Sequence, residues 1–233
     1  MQGVCAVLAL VMGLFASGCG EVGQPARSEL ERVELGGAQS ARVEITMSAG
    51  GLDILTGAED LLEAEFIYNY ESWKPELDYT ISGGEGLLTI THRPQTIAFP
   101  GVDYEWDLRF NNEVPMEMEI EMGVGGGELM LNGLNLNQLG IDLGVGGLDV
   151  DLTGDWESDL EASIHAGVGG ITLVLPRNVG VRVEADSGLG GVSAEQFHRD
   201  GDVYTNDAYG QTDVTLDIKA TVGVGGVDLS LRG

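Results

Sequence analysis

Cysteine is almost missing from this chain. Two occur in 233 residues, Cys5 and Cys19, both within the first twenty positions. The remainder therefore holds no disulfide framework. Positive charge is scarce too. Eleven Lys and Arg stand against 38 Asp and Glu, a formal net charge of −27, and lysine contributes only Lys74 and Lys219. Such an excess of carboxylate repels phosphate backbones and excludes nucleic acid as a partner. Only six prolines occur, and the glycines follow no Gly-X-Y rule, which excludes collagen. Disorder is excluded as well, since 43% of residues are hydrophobic. Helical periodicity is missing outside the N-terminal segment.

That segment reads as a signal for export. Residues 1–18 carry no charge, and Val4 to Phe15 form an apolar run too short to span a bilayer comfortably as a helix. Ala16, Ser17, Gly18 and Cys19 follow. This resembles the lipobox of bacterial lipoproteins, although Ala16 stands where a leucine is usual and Met1–Val4 lack a basic residue. The resemblance implies removal of residues 1–18, with Cys5 among them, and lipid on Cys19. It implies an extracytoplasmic protein held to a membrane by its lipid. Gly20 offers no inner-membrane retention signal, so the outer membrane or cell surface is the expected site. Residues 19–40 read as the lipidated Cys and tether, and 41–233 as one all-β domain.

What is abundant is glycine, 37 residues, and it is ordered. SAGG stands at 48–51, GVGG at 123–126, 144–147, 167–170 and 223–226, and GLGG at 188–191. The middle motifs start 21, 23 and 21 residues apart, the spacing of a repeat architecture. The last interval is 35 residues, so an insertion falls there. Apolar and polar residues alternate on both sides of each motif, as in Ile141, Leu143 and then Leu148, Val150, Leu152. Period two predicts strands with one buried face. Each unit reads as strand, glycine turn, strand, return. A unit of about 21 residues cannot bury its own apolar face, so units must stack. The pattern predicts a β-solenoid; a β-sandwich of hairpins would use the same turns.

Residues 57–117 differ. They hold nine of the fourteen aromatics and four strand-like runs, and read as antiparallel β-structure capping or flanking the regular repeats of 118–233.

Several marks together resemble one family. Trp106, Val114-Pro115 and Gly123-Val124-Gly125-Gly126 come first. Leu175-Pro176 with Val179-Gly180-Val181 follow, then the segment from Tyr204-Thr205-Asn206 to Val227-Asp228-Leu229. In this order they are similar to the bacterial toast-rack domain, over roughly residues 43–231. The resemblance implies an envelope-associated protein, related to envelope stress-response regulators, with no established catalytic residues.

Chemical motifs are few. Phosphate binding at the glycines needs a following helix, and strands follow instead. A calcium nonapeptide repeat needs an apolar residue where Asp151 stands. No cofactor is expected. One outward column, two residues before each motif, aligns Thr46, Glu121, Asp142, His165, Asp186 and Thr221. If units stack in sequence order, Asp142, His165 and Asp186 lie on adjacent rungs and form a candidate divalent-metal site. The competing reading is a solvated acidic face on which His165 relieves repulsion. A second column holds Asp53, Glu128, Asp149, Thr172, Ser193 and Asp228. Trp73, Tyr104 and Trp106, if exposed, would form a platform for glycan such as cell wall. His92 and His198 are isolated in sequence, and no nucleophile has a visible base. The expected function is therefore a non-catalytic interaction, structural or sensing module with an envelope-protein partner. Glycan binding is the alternative, ahead of carboxylate-based glycan hydrolysis.

Overall fold

The computed structural model describes residues 10–11, 25–92 and 104–233. The signal peptide apart from Leu10–Val11, together with Cys19 and residues 20–24, lies outside the described residues. The rest of the expected tether is described, and its Arg27–Val33 pair with Leu62–Tyr68 as a strand of the sheet instead of forming a linker.

The described residues form strands β1 Leu10–Val11, β2 Arg27–Val33, β3 Ser40–Thr56, β4 Leu62–Tyr68, β5 Glu76–Ser82, β6 Glu85–His92 and β7 Tyr104–Phe110. Then come β8 Met116–Met130, β9 Leu136–Asp151, β10 Leu160–Pro176, β11 Gly180–Ser193, β12 His198–Asp200, β13 Val203–Thr205 and β14 Thr215–Arg232. A single turn of 3-10 helix covers Glu71–Trp73.

The glycine motif proves to be a corner within a strand, not a turn between two strands. β8 runs unbroken through Gly123–Gly126, and β9, β10, β11 and β14 do the same at their motifs. Fifteen extended residues would span about 50 Å. Yet β9 starts at Leu136 beside Met116, where β8 began. The five intervening residues reach at most ~18 Å. Each long strand must therefore fold back on itself, and it does so at the glycines. Gly146 takes φ +147, and a Cβ placed there would lie 1.5 Å from the Gly125 carbonyl oxygen of the neighbouring rung. A Cβ at Gly144 would lie 2.4 Å from Gly123 O. Only glycine lets the rungs close to hydrogen-bonding distance there.

The corner also switches which parity faces inward. Leu139, Ile141 and Leu143 are buried before it, and Leu148, Val150 and Leu152 after it. The two halves of every rung thus face each other across one core. The result is the expected all-β stacked coil, with the first halves in one layer and the second halves in the other.

The rungs pair in parallel in the order β3-β8-β9-β10-β14-β11. The expectation of stacking in sequence order fails at the end, because β14 inserts between β10 and β11. The 35-residue interval supplies the length for this. Its hairpin of β12 and β13 lies antiparallel on the outer side of β11 at Arg182–Glu184. Asn206, buried just after β13, fastens the arrangement. Its amide donates to the carbonyls of Pro176 (3.2 Å) and Val179 (2.7 Å), and its Oδ1 accepts from Val181 N–H at 3.0 Å.

At the other end, β3 is the branch point. Its first half pairs with β6 and its second half with β7. One layer continues through the antiparallel β6 and β5, the other through β7, β4 and β2. The aromatic segment is the expected antiparallel flank, and it extends both layers at once.

Candidate functional site

The outward columns are real ladders, in an altered order. The first runs Thr46, Glu121, Asp142, His165, Thr221, Asp186. His165 keeps Asp142 as a neighbour, but Thr221 replaces Asp186 on its other side. The His165 Nδ1 lies 2.8 Å from Thr221 Oγ1. Asp186 is two rungs away, about 10 Å at the usual strand spacing. The proposed metal trio of Asp142, His165 and Asp186 is therefore not brought together. Among the described residues no group of three or more His, Cys, Asp or Glu is placed to hold a metal ion. The second ladder runs Glu128, Asp149, Thr172, Asp228, Ser193, and Asp53 joins its end by accepting from Glu128 N–H at 2.9 Å. The inserted β14 alters both ladders: Thr221 comes between His165 and Asp186, and Asp228 comes between Thr172 and Ser193.

Crowding still marks the acidic faces. Burial and the carboxylates of Asp142 and Glu121 push the Glu119 pKa up. Burial and Asp53, Glu65 and Glu105 do the same to Asp107.

Trp73, Tyr104 and Trp106 are buried and offer no platform to a glycan. They pack edge-on, Trp73 to Tyr104 at 5.1 Å and Tyr104 to Trp106 at 5.9 Å between ring centroids. His92 completes the cluster, 4.4 Å from Tyr104 and 5.0 Å from Trp73. Isolated in sequence, His92 is thus enclosed by aromatics in space. Neither of its ring nitrogens meets a partner among the described residues, and burial lowers its pKa to about 4. The cluster closes the core at the end of β6, where the bulk of three aromatic rings fills the wedge between the layers.

A second polar group escaped the sequence reading. Buried Glu29 on β2 accepts from Tyr68 Oη at 2.6 Å and from Lys74 Nζ at 2.5 Å. Burial works to raise the Glu29 pKa, but the bonds from Lys74 and Tyr68 outweigh it and hold the carboxyl below its ordinary value. Two residues on, Glu31 is buried beside it, its pKa raised by burial and by the Glu29 charge. A cavity of about 550 Å³ opens here between Glu29, Glu31, Phe66 and Leu77. Glu29 is held by two donors, whereas buried Glu31 Oε2 meets no partner among the described residues. The available signal was the rarity of lysine: Lys74 is one of two, and the fold spends it on a buried acid.

All-parallel glycine-cornered rungs, antiparallel flanks and ladders of solvated side chains define a non-barrel β-coil scaffold. The chain belongs to the toast-rack family: residues 22–174 match the N-terminal domain of toast_rack, DUF2154. A candidate cell adhesion protein from Clostridium sporogenes is similar throughout. It shares 29% identity at a TM-score of 0.87, covering 89% of this chain and 100% of that one. A candidate adhesin from Bacteroides fragilis is far more distant, at 8% identity and TM-score 0.32 over 88% of this chain and 97% of its own. No curated protein matches in sequence. No helix among the described residues is long and apolar enough to cross a membrane.

Proposed function

We propose that the protein is a lipid-anchored module of the cell envelope that meets other macromolecules across its outer faces and performs no catalysis. The observation that carries this reading is the form of its polar surface. The outward side chains stand in flat ladders one rung apart, and Glu29, the better-placed carboxylate of the cavity beside β2, is engaged by Lys74 and Tyr68. A flat ladder suits contact with an extended surface and gives a small substrate nothing to enclose it. The likeness to a candidate cell adhesion protein over that protein's whole length supports the same reading. Anchoring is assigned to Cys19, with the outer membrane or cell surface as the location.

The test expresses the full chain and its Cys19→Ala variant in a diderm bacterium. The wild type should take up a lipid label, sediment with membranes and be shaved from intact cells by protease; Cys19→Ala should lose the label and become soluble in the extracytoplasmic fraction. Identical fractionation of the two would remove the anchor from the proposal. Wild-type protein that resists protease on intact cells would remove the surface location.

A further inference from the structure

The corners carry a feature that neither core packing nor the acidic faces account for. The second residue of each glycine motif is aliphatic on all six rungs: Ala49, Val124, Val145, Val168, Val224 and Leu189. These positions pair directly with one another, rung to rung, in that order. The five larger ones are 44% to 71% exposed. They form a continuous apolar ridge along the narrow edge of the coil, about 19 Å from Val124 to Leu189 at the usual strand spacing. Glycine lies on both sides of each of the five larger residues, so no side chain flanks them along the strand and the aliphatic groups stand proud. On one side the glycines floor a furrow of about 450 Å³, lined by Met122 and Leu143 and by the first-column side chains Glu121, Asp142 and His165. Acids stand on both flanks of the ridge: Glu121, Asp142 and Asp186 before the corner, and Glu128, Asp149 and Asp228 after it. His165 is the one basic side chain in those two columns.

Three physical constraints select the occupant. First, the corner residues keep their ladder pairing from rung to rung, so their backbone groups are already used along the coil axis. A ligand lying along the ridge gains no main-chain hydrogen bonds. An extended peptide would leave its own backbone unpaired there, whereas a helix brings its backbone already satisfied. Second, the helical pitch of 5.4 Å is close to the ~4.8 Å rung spacing, so successive turns can seat against successive rungs. Third, the flanks are anionic, which demands cations beside the partner's apolar stripe. A second copy of this chain fails on that point, since it would set acid against acid. Five half-exposed aliphatic side chains also fall well short of the roughly 800 Å² per partner of a stable interface.

We propose that the valine ridge is a docking site for a basic amphipathic helix of about 13 residues or more, its apolar stripe on the ridge and its Lys or Arg flanks on the two acid columns. This names a partner class for the surface module proposed above, and rests on that reading only in needing an unoccupied outer edge.

The test uses the full chain and an 18-residue helical peptide with Leu at i, i+3, i+4 and i+7 and Lys on both flanks. Its controls are a peptide of the same composition in scrambled order and one with Glu flanks. At 0.15 M salt the Lys-flanked helix should bind in the micromolar range, and amide NMR shifts in the wild-type protein should map to the corners at 123–126, 144–147, 167–170 and 223–226. The combined Val145→Thr, Val168→Thr and Val224→Thr variant keeps shape and charge; it should bind at least tenfold more weakly with an unchanged melting temperature. Equal binding of the scrambled peptide, equal binding of the variant, or shifts mapping away from the corners would overturn the site. Ridge-dependent self-association of the peptide-free protein would overturn the choice of partner. The wild-type map decides the matter even if the variant misfolds, and none of these outcomes touches the Cys19 anchoring test.

Discussion

Within one motif, three glycines face different demands. Gly146 combines positive φ with a virtual Cβ 1.5 Å from a backbone oxygen, Gly144 is tight without positive φ, and Gly147 meets only Gly170 O at 3.8 Å. Gly146→Ala should therefore cost at least ~3 kcal/mol and Gly147→Ala no more than ~0.5 kcal/mol. Urea midpoints at constant slope would check this, and equal losses at the two positions would refute the corner geometry. His92 offers a pH prediction. Its pKa is about 4 in the fold against ~6.5 for a free imidazole. Between those values the unfolded chain holds the extra proton, so stability rises with pH across the window. The contribution is complete above about 6.5 and is lost as pH falls toward 4, up to ~3 kcal/mol. Glu119 and Asp107 act in the opposite sense, because their raised pKa values let the folded state take protons first as pH falls. His92→Phe should thus remove the loss between pH ~6.5 and ~4.5; below that Glu29, held under its ordinary value, loses its stabilising contribution too. Superimposable pH profiles for variant and wild type would show that another group is responsible.

At the scale of elements, the strands were legible and their ends were not. Alternation around each motif marks both halves of every rung, because a half-buried strand imposes period two. The break in alternation at the glycines reads equally as a turn between strands or a corner within one. Local sequence cannot choose, since the choice depends on the neighbouring rung whose carbonyl sits where a Cβ would be. The same limit hid the place of β14. Nothing local to Thr215–Arg232 says that it pairs with β10 rather than extending past β11. The insertion carrying Asn206 settles that, through three hydrogen bonds to the connection between β10 and β11. Asn206→Ala would leave Val181 N–H and two carbonyls unpaired in the interior, at a cost of about 2–4 kcal/mol. Its effect should appear as early amide exchange in β11 and β13, with the β8–β9 pair still protected. Uniform loss of protection would instead mean that the coil unfolds as one unit.

Across the whole molecule, charge is the dominant global term. A net charge of −27 on 233 residues sets carboxylates one rung apart along both ladders. Screening should relieve that repulsion, so 0.5 M NaCl should raise the melting temperature by several degrees, and an uncharged osmolyte of matched ionic inertness should not mimic the salt-specific part. A melting temperature indifferent to salt would mean that the carboxylates are too well solvated to repel. The stack order matters here as well. Because β14 lies between β10 and β11, Thr221 comes between His165 and Asp186, which sequence order would have set side by side. The same insertion dissolves the metal trio and, in the second ladder, moves Asp228 one rung nearer Asp149.

The sequence alone determined the repeat, its period, the inward and outward faces, the acidic coat and the family. These are local or periodic properties, written in spacing and side-chain type. Only the tertiary structure decided the burial of Trp73, Tyr104 and Trp106, the enclosure of His92, the capture of Lys74 by Glu29, and the neighbours of His165. Each depends on which distant segments meet, and a core that closes between two layers places its contacts by shape rather than by proximity along the chain.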